Sequence, residues 1–183
     1  MVELLEALEN KRDVSKIKGI SYLEGGKLVK TEERELIKEE NLDSVPFPAW
    51  DLFPIDYYAM LQFPGMKGTD RSMQVITSRG CLYKCNFCYR MDKGVRMRPV
   101  ESIIREIREL IERYNITYIN FSDELTMVGV RRTQELCEWL LKADLGIKWY
   151  CNGRINFAKP ELLKLMKKAG CAFIGYGVES LDE

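Results

Sequence analysis

Apolar positions along the chain follow two different rhythms, and the change between them falls near Met73. Before it the pattern is thin. Leu4, Leu5 and Leu8 mark a short amphipathic helix, and Ile20, Tyr22 and Leu28 flank Gly25-Gly26 as a two-stranded hairpin would. Val45-Pro46-Phe47-Pro48-Ala49-Trp50-Asp51-Leu52-Phe53-Pro54 then reads as an extended strap, because its prolines oppose helix and its aromatics can cover a neighbouring surface. After Met73, short β-branched runs alternate with helical spacing. Strands are predicted at 74–78, 118–121, 148–151 and 172–178, and helices at 99–115, 133–143 and 160–169. In the first helix Ile103, Ile104, Ile107, Leu110, Ile111 and Tyr114 recur on one face, with Pro99 suited to the opening turn. Strands separated by helices pair in parallel through right-handed crossovers. The expected class is α/β, preceded by a small irregular α+β N-terminal segment.

This pattern divides the chain into 1–43, a segment too poor in apolar residues to bury a core by itself; 44–72, the proline and aromatic linker; and 73–183, the α/β part. The run Gly177-Val178-Glu179-Ser180-Leu181-Asp182-Glu183 follows a strand with no covering helix after it. A parallel sheet needs helices on its faces. The chain is therefore expected to be a truncated piece of a longer protein, without turnover of its own, and to self-associate through an open sheet edge.

Composition narrows the chemistry. The chain has 183 residues, 46% of them hydrophobic, and its 28 basic residues balance 28 acidic ones. Such a balance gives no bulk attraction to nucleic acid or membrane. No apolar run reaches the roughly 20 residues of a membrane span and no signal peptide opens the chain, so a cytoplasmic setting is expected. Histidine is absent, which removes histidine bases, mixed Cys/His zinc fingers and histidine-ligated haem.

What remains is six cysteines and the acids. Cys137, Cys151 and Cys171 sit in apolar stretches and read as core residues, as do Trp139 and Trp149. Cys81, Cys85 and Cys88 are different. Their C-x3-C-x2-C spacing follows the first strand through Arg79-Gly80 and can turn three sulfurs toward one place. Three readings stand. A structural zinc site needs a fourth ligand from elsewhere. A dithiol redox pair would use Cys85 and Cys88 and leave Cys81 unexplained. A four-iron cubane on three cysteines keeps one iron open for a non-protein ligand. Between Arg79 and Arg98 stand Arg79, Lys84, Arg90, Lys93, Arg96 and Arg98 against Asp92, and positive charge of that kind favours an anionic cluster. Met91 and Met97 flank the loop as shielding.

Cys81-Leu-Tyr-Lys-Cys85-Asn-Phe-Cys88 resembles the signature of radical S-adenosylmethionine (radical SAM) enzymes. The strap 45–54, Ile119-Asn-Phe-Ser-Asp-Glu124 and Gly175-Tyr-Gly-Val-Glu-Ser180 resemble segments of the subfamily that carries a cobalamin-binding domain. The resemblance implies that residues 73–183 hold parallel (βα) units forming roughly the first half of a partial TIM-like barrel, and that 1–43 is the remnant of the preceding domain. It implies a 4Fe-4S cluster on Cys81, Cys85 and Cys88, with SAM on the open iron and reductive cleavage to a 5′-deoxyadenosyl radical that takes a substrate hydrogen. A reduced ferredoxin or flavodoxin would supply the electron. Cobalamin would bind outside this chain, and the substrate is a small molecule that the sequence does not name.

Ligands of α/β folds collect at the carboxyl ends of strands. The resemblance implies a SAM contact at Phe87 in the loop, and the strand ends add Asp123 and Glu124, Asn152 and Arg154, and Glu179 and Ser180 as expected contacts. By the resemblance, Asp123 and Glu124 stand at the family's glycine-rich acidic motif, although Ser122 and Asp123 replace its two glycines.

Overall fold

A computed structural model describes residues 1–89 and 94–179. The chain divides into two units, Met1–Ile37 and Lys38–Glu183. In the first, helix α1 (Val2–Glu9) precedes an antiparallel hairpin of β1 (Ser21–Glu24) and β2 (Lys27–Lys30). Both central residues of its turn, Gly25 and Gly26, have positive φ, a conformation glycine adopts without steric cost.

The boundary falls earlier than residue 43 because the following turn belongs to the second unit. There Leu42 is buried, Glu39 accepts from the Met97 backbone N–H, and Asp43 pairs with Arg105. The linker is also more compact than its prolines suggest. A single 3-10 turn spans Trp50–Leu52, and Pro54 caps a helical turn, α2 (Ile55–Tyr58), because proline tolerates the start of a helix. Ile55 and Ala59 are buried in the core, and Phe47 lies under the Arg98 guanidinium.

Four parallel strands form the main sheet in the order β3 (Ser72–Val75), β6 (Tyr118–Phe121), β7 (Lys148–Gly153) and β8 (Cys171–Tyr176). Helices α3 (Val100–Tyr114), α4 (Val130–Ala143) and α5 (Pro160–Lys168) make the crossovers. The expected α/β architecture is therefore present, with sequential strands all parallel. The apolar stripe of α3 faces the sheet: Ile103, Ile107 and Leu110 are fully buried. Asn115 closes that helix in the left-handed conformation its short polar side chain tolerates. Cys137, Cys151, Cys171 and Trp149 are core residues, as anticipated. The Trp149 indole donates to the Ala169 carbonyl at 2.8 Å and meets Phe121 edge-on.

One expected strand is two. Residues 74–78 do not run on as a unit: β3 ends at Val75, and the chain turns through Ile76 and Thr77. A new strand, β4 (Ser78–Cys81), then pairs antiparallel with β5 (Gly94–Met97). Gly80, at φ +83, makes the twist that ends β4 at Cys81. No apolar alternation announces β5, so the hairpin was invisible to periodicity.

Behind this hairpin, Arg98 donates to the Glu106 carboxylate at 2.6 Å and to the Ile76 carbonyl at 2.7 Å. Burial nonetheless raises the Glu106 pKa above the ordinary glutamate value, the Arg98 charge opposing but not cancelling it. An unfolded glutamate ionises near about pH 4.3. A raised folded pKa therefore contributes stability below that pH and loses it as pH rises through the folded value. Relative to Glu106→Gln, the parent is expected to lose stability as pH rises from about 4.3, measured by urea unfolding at stepped pH. A parent that gains on the variant over that range would show that the ion pair outweighs burial.

Candidate functional site

The carboxyl ends of β6, β7 and β8 and the loop after β4 surround one open cavity of about 760 Å³. Cys81 enters it from the last position of β4, and Cys85 and Cys88 follow within a turn in which the Cys88 N–H bonds the Cys85 carbonyl. Glu124, Asn152, Arg154 and Glu179 line the same cavity, as does Phe87, which is largely exposed. The structure thus brings together three cysteines and five of the seven predicted cofactor-binding positions. Ser180 lies outside the described residues, as do Arg90, Met91, Asp92 and Lys93.

Asp123 is placed elsewhere. It is buried beneath the cavity and does not line it. Its carboxylate accepts the backbone N–H groups of Thr77 and Ser78 at 2.7 and 2.8 Å and the Thr77 hydroxyl at 2.7 Å. Burial pushes its pKa upward, while Thr77, Ser78 and Thr126 act in the opposite sense. The acidic pair is therefore split just beyond the end of β6: Asp123 is buried and ties this segment to the turn between β3 and β4, while Glu124 is exposed and lines the cavity. Nothing in the spacing distinguishes the two, and Thr77 carried no signal of its partnership.

Gly153 and Gly175 line the cavity, and the space a Cβ would need at each is taken by other side chains of the chain. A Cβ on Gly153 would stand 2.4 Å from Met127 Sδ, and one on Gly175 would stand 2.9 Å from Asn152 Oδ1 and 3.0 Å from the Tyr150 hydroxyl. Asn152 is itself held by that hydroxyl, which donates to Oδ1 at 2.8 Å. At Glu179 the backbone has φ +62, a left-handed conformation that costs a side-chain-bearing residue energy and is found where surroundings impose it. Its carboxylate folds back over Gly177, where a Cβ would come within 2.6 Å of Oε1.

Charge is distributed unevenly around the thiols. Cys88 is exposed as a residue, yet its thiol is pushed above the ordinary cysteine value, first by desolvation and then by the thiols of Cys85 and Cys81 and the Glu179 carboxylate. Of the basic residues that the sequence gathers around the loop, Arg98 is spent on Glu106 behind the hairpin. Arg154, at the end of β7, directs Nη1 at Cys85 Sγ, 3.7 Å away, and lays its guanidinium over the Tyr83 ring at 3.8 Å. Tyr83 sits inside the cysteine motif, but no spacing rule links it to a residue so far along the chain.

Among the described residues no three Cys, Asp or Glu side chains converge closely enough to hold a single metal ion. The sulfurs border a volume rather than meet at a point. Cys137, Cys151 and Cys171 are buried in the core and cannot complete a zinc site.

If Asp123 acts as the anchor of this loop, Asp123→Ala should cost about 2–6 kcal/mol, since two buried N–H groups lose their acceptor at roughly 1–3 kcal/mol each. Asp123→Asn keeps Oδ1 and should cost much less. Equal losses in urea unfolding of the two variants would mean that the negative charge, not the acceptor geometry, holds the turn.

Comparison with known proteins places this geometry. The pattern of the radical SAM superfamily matches residues 75–183. An uncharacterized methyltransferase of Pyrococcus horikoshii is 34% identical over 97% of this chain and 38% of its own length. The anaerobic magnesium-protoporphyrin IX monomethyl ester cyclase of Rubrivivax gelatinosus is 28% identical over 98% of this chain and 32% of its own. The chain thus spans about a third of the length of these relatives. Among solved structures, the radical SAM methyltransferase TsrM from Kitasatospora setae, with cobalamin and a 4Fe-4S cluster bound, superposes with a TM-score of 0.70 at 16% identity. That match covers 98% of this chain and 36% of TsrM, a likeness of fold.

Proposed function

From a chain that belongs to the radical SAM superfamily, we infer that Cys81, Cys85 and Cys88 hold a 4Fe-4S cluster and that SAM occupies the adjoining cavity. The observation that carries this reading is the meeting of those cysteines with Glu124, Asn152, Arg154 and Glu179 around one cavity at the strand ends. The donor set fits. Three thiols bordering a volume suit a cubane, which takes each sulfur on a different iron. Bound together, cluster and SAM supply an organic radical that abstracts hydrogen from a substrate.

The chain's own residues would then bind and orient. Glu124 and Glu179 are exposed carboxylates that can accept from an ammonium group or from ribose hydroxyls. Asn152, fixed by Tyr150, keeps its amide N–H groups for an acceptor. Phe87 and Tyr89 offer aromatic surface at the mouth of the cavity. Asp123 takes no part in binding and acts as the anchor of the loop.

For the longer protein, the reaction proposed is methyl transfer, with cobalamin held outside this chain. Two of the three similar proteins are methyltransferases by name, and TsrM has been solved with cobalamin bound. The cyclase supports ring closure as a second reading. A low-potential one-electron carrier, a ferredoxin or flavodoxin, is the proposed reductant.

Anaerobic reconstitution with iron and sulfide is expected to give about four irons per chain, with an electron paramagnetic resonance signal after reduction that changes when SAM is added. Cys81→Ala, Cys85→Ala and Cys88→Ala should each abolish it, whereas Cys137→Ser should leave it intact. Full cluster assembly in Cys81→Ala, or stoichiometric zinc with four sulfur ligands, would overturn the assignment.

A further inference from the structure

Three features mark the guanidinium of Arg154. Nη1 points at Cys85 Sγ at 3.7 Å, the guanidinium plane lies over Tyr83 with its central carbon 3.8 Å from the ring centroid, and Nε is buried without a partner. Neither of the first two contacts needs a bound ligand. They join the end of β7 to the cysteine loop, across the cavity, within the chain itself.

The chemistry of the pair is specific. Guanidinium is planar, always charged and weakly hydrated, so it stacks on an aromatic face while still donating in its own plane. Tyr83 lies midway between Cys81 and Cys85, so the stack fixes the direction in which the in-plane N–H groups point, and they point at a cysteine sulfur. Hydrogen bonds to cluster sulfurs and nearby positive charge both stabilise the more negative, reduced state of an iron–sulfur cluster. Arg98 is engaged with Glu106, and Glu179 places a negative charge on the Cys88 side of the cavity.

We propose that Arg154, held in plane by Tyr83, is the residue that raises the reduction potential of the cluster by donating an N–H to the Cys85 sulfur. The proposal rests on the cluster assignment above and goes beyond it, since it gives Arg154 a task that does not require SAM. Reduction adds one electron from an external one-electron donor and makes no bond to the protein. The guanidinium offsets the added charge. Arg154 is in this sense a positioning and tuning residue, and Tyr83 is its support.

The test is a mediated dithionite titration of the anaerobically reconstituted chain, without SAM, followed by electron paramagnetic resonance. Arg154→Met is expected to shift the balance of reduced to oxidised cluster about tenfold toward oxidised at a given potential, a midpoint lower by about 59 mV for one electron. Arg154→Lys keeps the charge but loses the plane, and should shift less. Tyr83→Leu leaves the arginine in place but releases it, and should shift in the same direction. Iron content and circular dichroism are matched across the set, so that loading and folding are equal. Should Arg154→Met fail to load, Arg154→Lys and Tyr83→Leu decide. Parental midpoints in the loaded variants would overturn the role of Arg154 while leaving the cluster assignment standing. A parent that assembles no cluster would instead remove the assignment and this proposal with it.

Discussion

The carboxylate of Asp123 is taken out of water and given three donors: two successive backbone N–H groups, at Thr77 and Ser78, and the Thr77 hydroxyl. A buried carboxylate without such partners would be expensive, and two buried N–H groups without an acceptor would be nearly as costly. Each side therefore needs the other. Their joint effect is geometric. The turn that redirects the chain from β3 into β4 is pinned to the end of β6, and β4 delivers Cys81 to the mouth of the strand ends. The cysteine side of the cavity takes its position from that junction.

From this junction the cavity acquires two unlike sides. On the β7 side, Arg154 and Tyr83 hold the cysteine loop by stacking and by a contact to sulfur. On the β8 side, Glu179 sits in a left-handed conformation over Gly177 and brings negative charge toward Cys88. SAM carries both a carboxylate and an ammonium group, and a site with opposite charges at its two edges can orient such a zwitterion without enclosing it. Low dielectric is not needed for this, since charge-assisted hydrogen bonds remain directional in a partly open site.

Much of this was written in the residues. Period and β-branching gave the four parallel strands and three crossover helices, because each helix buries one apolar stripe and the sheet is covered by them. The cysteine spacing gave the loop, and the rule that ligands gather at the carboxyl ends of strands gave Glu124, Asn152, Arg154 and Glu179. Two things were not legible. The hairpin of β4 and β5 shows no apolar alternation because small residues fill the inward positions of β4: Ser78 and Gly80 face the interior and Arg79 the solvent, with no large apolar residue in β4. The roles of Asp123 and Arg154 depend on tertiary neighbours at Thr77 and Tyr83, far away along the chain, and composition around the loop pointed instead to basic residues such as Arg98 that serve the core.

The register of that hairpin sets Cys81 opposite Gly94. Strand pairing thus joins the two ends of the intervening stretch before any inorganic occupant is considered. Closing a ring costs entropy that grows only with the logarithm of its length, so additions or exchanges inside it fall on the ring and hardly on the sheet beneath. One scaffold can in this way carry segments of different size and chemistry over the same strand ends, and what borders the reactive space can diversify without the fold having to be solved again.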